Sequence, residues 1–234
     1  MKTAIMQPYF LPYLGYFQLI SAADVFVVYD TVQYTKKGWI NRNRMLRNGT
    51  DTKFSIPLKK DSDFLDISER CLSDTFDPVK LCNQIKGAYG KAPEFKTTMP
   101  LIEKIALYKS SSLFDFAHNS IRQCCDYLNI TTPIRISSEV EGGVSNLHNT
   151  DRVIDICHRL GATGYINPPG GRGLYKPDIF QGEELKLQFI QPRMSDYPQF
   201  GAAFVPALSI LDVMMFNSKE YIASTLLGEY DLAD

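Results

Sequence analysis

The sequence predicts an α/β protein, with a mostly parallel, Rossmann-like sheet, flanking helices and a helical insert. Three observations carry this. The first thirty residues hold a strand, a helix and a second strand, which is the size of one βαβ unit. The second of those strands, Asp24–Asp30 with Val25-Phe26-Val27-Val28 at its centre, is apolar without alternation, as a strand covered on both faces must be. Beyond residue 130, short strand-like and helix-like segments follow one another again.

Taken in order, strand one runs over Thr3–Gln7. A loop rich in Pro and aromatics, Pro8–Tyr13, leads to a helix near Leu14–Ala23 and on to the apolar strand. A polar, basic stretch covers Thr31–Asp51, and Lys53–Leu58 reads as another strand. Helices are expected around Pro78–Tyr89 and Thr98–Leu128, the second broken or bent near Ser110–Ser112, so that the insert covers about residues 75–130. Pro133–Ser137 reads as a strand. Asn149–Leu160 reads as a helix closed by Gly161, the residue type that follows helix C-termini. Tyr165–Asn167 and Leu185–Ile190 are short strands, and the last helix pair spans Pro206–Leu227. No internal repeat or low-complexity linker divides the chain, so one α/β domain over residues 1–234 is expected.

Composition bounds the function. The 234 residues are 44% hydrophobic and include 14 Phe and 13 Tyr, enough for one sizeable core. The net charge is −1 and the pI near 6.3, so no global field draws the protein to nucleic acid or an anionic membrane. Cys71, Cys82, Cys124, Cys125 and Cys157 are odd in number and form no Cys-x-x-Cys pair, which suits reduced thiols in the cytosol. The chain opens directly on a strand, with no apolar leader, and no apolar run approaches a membrane span. A cytoplasmic protein is expected. Its three histidines are spaced too widely to form a metal ligand set, so no metal site is expected.

The densest chemistry lies in Met6-Gln7-Pro8-Tyr9-Phe10-Leu11-Pro12-Tyr13-Leu14-Gly15-Tyr16-Phe17, where a strand ends and a helix begins beside a glycine. Ligands of doubly wound sheets collect at strand carboxyl ends, which puts Gln7 and Tyr9 at the expected rim. The layout resembles the start of nucleotidyltransferase-type Rossmann proteins. Their His-x-Gly-His element, however, reads Tyr13-Leu14-Gly15-Tyr16 here. A neutral tyrosine does not replace an imidazolium on a phosphoryl group, so nucleotide binding is favoured and adenylyl transfer is not. Phe17 and Tyr16 read as core.

The stretch after strand two, from Tyr29 to Arg44, carries Lys36, Lys37, Arg42 and Arg44 among Gln33, Tyr34, Asn41 and the only Trp, Trp39. Arginine meets phosphate with a flat two-point fork, and lysine supplies a mobile charge. Tyr34 and Trp39 can stack on a base or a sugar face. Asp30, closing the apolar strand, is a candidate base or a ligand for a substrate hydroxyl or amine. The same residue set also suits single-stranded nucleic acid, and a plain solvated loop is the alternative.

These blocks, with Ala23–Asp30 between them and Tyr197-Pro198-Gln199-Phe200, Phe204-Val205-Pro206 and Leu208-Ser209-Ile210-Leu211-Asp212 downstream, resemble the WbqC-like family of bacterial surface-polysaccharide (O-antigen, lipopolysaccharide) gene clusters. The resemblance covers essentially the whole chain. It implies modification of a nucleotide-linked 4-amino-4,6-dideoxy sugar, by aminoacyl (glycyl) transfer onto the sugar amine, with ATP or an aminoacyl-tRNA as donor. An ATP-dependent ligase forming the same amide and a non-catalytic nucleotide-sugar binding or scaffold protein are the alternatives, and a homodimer is a candidate assembly. Tyr197, Gln199 and Phe204 are pocket residues on the resemblance alone.

Two further segments complete the candidate set. His148 precedes the helix at Asn149 or Thr150, where a helix N-terminus disfavours the imidazolium and leaves a neutral base. Gly170, Gly171 and Arg172 follow a short strand, where glycine lets backbone amides approach an anion and the guanidinium clamps it. A flexible turn is the bland alternative. Ser209-Ile210-Leu211-Asp212 reads as a helix-capping box and is given no chemistry.

Overall fold

The computed structural model describes residues 1–201 and 203–234. β1 (Lys2–Met6), α1 (Leu14–Ala22) and β2 (Val25–Val28) form the expected opening unit, with β1 and β2 parallel in the register Thr3 to Val25 through Met6 to Val28. The basic stretch is not loop throughout. Its second half is β3 (Arg42–Arg47), paired antiparallel with β4 (Thr50–Ser55) as a separate two-stranded sheet. Asn48 and Gly49 turn the hairpin at φ of 52° and 75°, the positive-φ pair that suits the right-handed twist of adjoining strands.

The insert is three helices, α2 (Pro78–Tyr89), α3 (Phe95–Ala106) and α4 (Leu113–Tyr127). The expected break near Ser110–Ser112 is the α3–α4 junction, where the Ser112 side chain accepts from the Asp115 N–H and caps α4. Then come β5 (Ile134–Ile136), α5 (Ser137–Glu141), α6 (Asn149–Arg159), β6 (Gly164–Asn167), α7 (Pro177–Gly182) and β7 (Lys186–Pro192). The chain closes with α8 (Ile210–Phe216), α9 (Lys219–Ser224) and β8 (Tyr230–Ala233).

The six-stranded sheet has the order β5-β2-β1-β6-β7-β8, parallel throughout except for β8, which runs antiparallel to β7. The order grows outward from β1 to β5, then resumes on the other side of β1 with β6. Such a reversal, here between β1 and β6, is where open α/β sheets form a ligand crevice at the strand carboxyl ends.

Alternation along the strands splits the core in two. Ala4, Phe26, Val28 and Ile166 point to one face, packed with α1, the insert, the hairpin and α8. Ile5, Val27, Tyr165, Leu187 and Phe189 point to the other, packed with Val153 and Ile156 of α6 and Phe180 of α7. Coverage on both faces explains the unbroken apolar run of β2. The hairpin packs against the N-terminal loop and the insert, with the Phe10 ring 6.2 Å from Phe54 and 5.2 Å from Phe116. No helix among the described residues is long and apolar enough to cross a membrane. The five cysteines are free thiols, and burial pushes those of Cys125 and Cys157 up to about 12.

Candidate functional site

Three stretches far apart in the chain are stitched together around Leu11. Leu11 is fully buried yet sits at φ 47°, a left-handed conformation that costs a non-glycine residue about 1–3 kcal/mol. Its N–H donates to Ser120 Oγ (3.3 Å), and its carbonyl accepts from Asn43 Nδ2 and Ser209 Oγ, both at 2.6 Å. The Pro12 carbonyl accepts the Ile210 N–H, the Ile40 carbonyl accepts the Phe10 N–H, and the Arg44 carbonyl accepts the Ser209 N–H. The N-terminal loop, β3 and the start of α8 are thereby one rigid junction, and the surrounding bonds hold the strained residue.

Above this junction opens a cleft of about 190 Å³ lined by Tyr9, Tyr13, Trp39, Asn43, Arg44 and Ala207. Arg44 is held on three sides. Its guanidinium donates to Asp51 at 3.0 Å and to the Ala207 carbonyl at 3.0 Å, and lies 5.8 Å from the Trp39 ring centre. Ala207 has a positive φ of 54°, a second left-handed non-glycine residue at the same site. The Asn43 amide is committed to the Phe10 and Leu11 carbonyls, and its oxygen accepts the Arg44 N–H. The aromatic members are different. Burial raises the pKa of Tyr9 and Tyr13, which keeps both as neutral O–H groups. Trp39 is 40% exposed. The cleft therefore offers flat apolar faces, phenol tips and one fixed guanidinium, the composition of a site for a small ring-bearing ligand.

The other residues of the basic stretch serve the loop itself. Lys36 pairs with Asp63 at 2.6 Å, and Gln33 Nε2 donates to the Asp63 carbonyl. Arg42 donates to the Gly38 and Lys36 carbonyls. The Tyr34 hydroxyl donates to Asn41, Asn41 donates to the Ile56 carbonyl, and Arg70 covers the Tyr34 ring at 5.0 Å. Of the four cations from Lys36 to Arg44, Arg44 lines the cleft.

At the sheet, Gln7 follows β1 and its carbonyl accepts the Tyr16 hydroxyl at 3.0 Å. Asp30 follows β2 and is buried, 7% exposed. One of its oxygens accepts from Ser137 Oγ (2.6 Å) and the Ser138 N–H (3.0 Å), the other from Ser138 Oγ (2.5 Å). Beside it Arg152 forms a buried ion pair with Glu141 at 2.6 Å and donates to both the carbonyl and the hydroxyl of Thr31. His148 is the exposed residue that precedes α6, and its side chain makes no cap hydrogen bond. Gly170 and Gly171 form a 3-10 turn after β6. A side chain at Gly171 would stand 1.7 Å from Asn167 Nδ2, and Arg172 lies over the Phe189 ring at 5.3 Å. Gln7, Asp30, Arg42, His148 and the Gly170–Arg172 turn all lie outside the cleft lining.

Tyr197 and Gln199 meet at a carboxylate. Asp212, fully buried, accepts from the Tyr197 hydroxyl (2.8 Å) and Gln199 Nε2 (2.6 Å) on one oxygen and from the Tyr89 hydroxyl (2.8 Å) on the other. The expected capping role of the Ser209–Asp212 pair is half present. Ser209 caps α8 by accepting from the Leu211 N–H, while Asp212 turns inward. Sequence reasoning missed Tyr13, Asn43, Ala207 and Asp212 as site residues. The Asn48-Gly49 turn would have marked β3, and with it the shared position of Asn43 and Arg44.

The sequence profile of the WbqC-like protein family matches residues 7–224. The chain is also similar to an uncharacterized protein of Mycobacterium tuberculosis (strain H37Rv), Rv1507c, with 29% identity over 219 residues, covering 92% of this chain and 93% of that one. No solved structure matches the chain.

Proposed function

The chain belongs to the WbqC-like protein family, and we propose that it is a transferase acting on a nucleotide-linked amino sugar in bacterial surface-polysaccharide biosynthesis. The transferred group is an aminoacyl unit such as glycine, delivered from a charged transfer RNA or from an acyl-adenylate made with ATP, and the acceptor is the sugar amine. One observation carries the choice of site. Of the sequence blocks that underlie the family resemblance, 6–17, 33–44 and the distal runs 197–200, 204–206 and 208–212 contribute the lining of one cleft or the bonds that hold its walls, while the 23–30 block forms β2 of the sheet.

In this reading a sugar ring lies with its C–H face on Tyr9, Tyr13 or Trp39. Its hydroxyls meet the phenol tips and the Arg44 edge. Aromatic faces beside a few fixed polar groups are how small polar ligands are oriented. The amine attacks the acyl carbonyl, the C–N bond of the amide forms as the ester or acyl-phosphate C–O bond breaks, and the transfer-RNA hydroxyl or AMP leaves. Asp30 and His148, both outside the cleft lining, are the proposed acceptors of the amine proton.

A second reading, a non-catalytic protein that holds the nucleotide-sugar for other enzymes, is favoured by one observation. Both Asp30 oxygens already accept hydrogen bonds from the Ser137–Ser138 corner, and His148 stands outside the cleft lining.

Incubation of the purified protein with a nucleotide-linked 4-amino-4,6-dideoxy sugar, glycine, ATP and charged transfer RNA, followed by product mass, separates these. Product that requires charged transfer RNA supports aminoacyl transfer, and product with ATP and free glycine supports a ligase. Binding without turnover under every donor mixture supports the holding role. Absence of both binding and product sinks the sugar reading altogether.

A further inference from the structure

Asp212 ties both walls of the cleft to one buried carboxylate. On one side, its Tyr89 partner also accepts the Leu46 N–H at 2.8 Å, so the carboxylate reaches β3, the strand that carries Asn43 and Arg44. On the other, its Gln199 partner brackets Val205, accepting the Val205 N–H at 2.7 Å and donating to the Val205 carbonyl at 3.3 Å. Two residues beyond Val205 lies Ala207, left-handed, with its carbonyl on Arg44. Tyr197 adds a further hold on the same segment. The partners of the carboxylate are two phenols and an amide, all neutral.

A charge in such a place is unusual for packing alone. Burial of a carboxylate is costly unless every lone pair finds a donor, and an apolar residue would fill the same space without that cost. What a carboxylate adds is strength and number, because hydrogen bonds to an ionised acceptor are shorter and about twice as strong as neutral ones. Here they converge from a helix of the insert and from the 197–199 segment.

We propose that Asp212, which lies outside the cleft lining, is the positioning residue that fixes the spacing between the Arg44 wall and the Ala207 wall. The inference rests on the reading of the cleft as the ligand site, and it specifies what keeps that cleft in its binding shape. The left-handed Ala207 carbonyl then presents to Arg44 only while the Gln199 bracket is anchored.

The test combines a measurement that needs no ligand with one that does. In Asp212→Asn, which preserves shape and removes charge, amide hydrogen exchange at Val205 and Ser209 should rise about tenfold or more, the scale of losing a charged hydrogen bond. Exchange at Ile5 and Val27 in the central strands should stay unchanged. Affinity for a nucleotide-linked 4-amino-4,6-dideoxy sugar should fall about tenfold, by the same arithmetic. Tyr197→Phe removes one donor on the Ala207 side only. It should raise exchange at Val205 and leave Leu46 alone, and it decides the matter should Asp212→Asn fail to fold. Unchanged exchange at Val205 and Ser209 in the folded variants overturns the proposal, as does a rise spread equally over Ile5 and Val27. If exchange rises locally as expected but the wild-type protein binds no nucleotide-sugar, the wall-spacing role stands and the substrate reading fails.

Discussion

The tips of β2 and β5 and the cleft beside the hairpin are organised in opposite ways. At the strand tips, charge is dense and nearly every polar atom has an intramolecular partner. Asp30 is filled by Ser137 and Ser138, and Arg152 by Glu141 and Thr31. In the cleft, charge is limited to one guanidinium already bonded to Asp51 and Ala207, while phenol tips and an indole face line open space. The difference teaches that a cluster of ionic residues in sequence can be framework. Recognition surfaces are better sought where polar tips stand beside apolar faces and internal partners are few.

The comparison can be broken first at its most buried ion pair. Glu141→Ala leaves the Arg152 guanidinium, whose side chain is 7% exposed, without its carboxylate. Such an orphaned charge costs about 3–5 kcal/mol, so the midpoint of urea unfolding should drop sharply. A drop within experimental scatter would show that the strand-tip network is not framework. The cleft should behave in reverse. Tyr9→Phe and Tyr13→Phe should shift unfolding by less than about 0.5 kcal/mol, yet each should weaken nucleotide-sugar binding about tenfold, as a lost ligand hydrogen bond does. Calorimetric titration of the two variants reads this directly.

The smallest effect expected is a pH dependence. Burial holds the Asp212 pKa above the ordinary carboxylate value, and its hydrogen bonds from Tyr197, Tyr89 and Gln199 pull only part of the way back. The native state therefore binds this proton more tightly than the unfolded chain. The contribution to stability is full below the unfolded value of about 3.9 and is lost as pH rises through the raised one. Unfolding free energies of wild type and Asp212→Asn, compared from acid to neutral pH, should converge or cross in the variant's favour as pH rises. A wild type that gains on the variant over that range would contradict the assigned direction.

Much of the fold was legible because local pattern and tertiary environment agree in it. The apolar run of β2, the Ser112 cap between α3 and α4, and Gly161 after α6 all announce what they do. The β3 half of the hairpin reads as loop because it carries Arg and Asn, whereas β4 is expected as a strand but placed three residues late, at Lys53–Leu58 in place of Thr50–Ser55. Only Met45, Leu46 and Phe54 give the hairpin a buried side, and the Asn48-Gly49 signal is short. In the candidate site, Tyr9, Trp39 and Arg44 were visible by residue type alone. Asp212 was not, because its partner Tyr89 is 123 residues away and no local spacing encodes that bond. A serine three residues before an aspartate fits a cap equally well, and the true role of the carboxylate depends on tertiary structure.

The sole tryptophan stands in the cleft wall, so a single indole signal reports on the proposed site. Addition of a nucleotide-linked 4-amino-4,6-dideoxy sugar to the protein should shift the Trp39 indole N–H resonance saturably, and Arg44→Ala should abolish that shift. Saturable binding by calorimetry that leaves the Trp39 resonance unmoved would place the ligand elsewhere on the molecule.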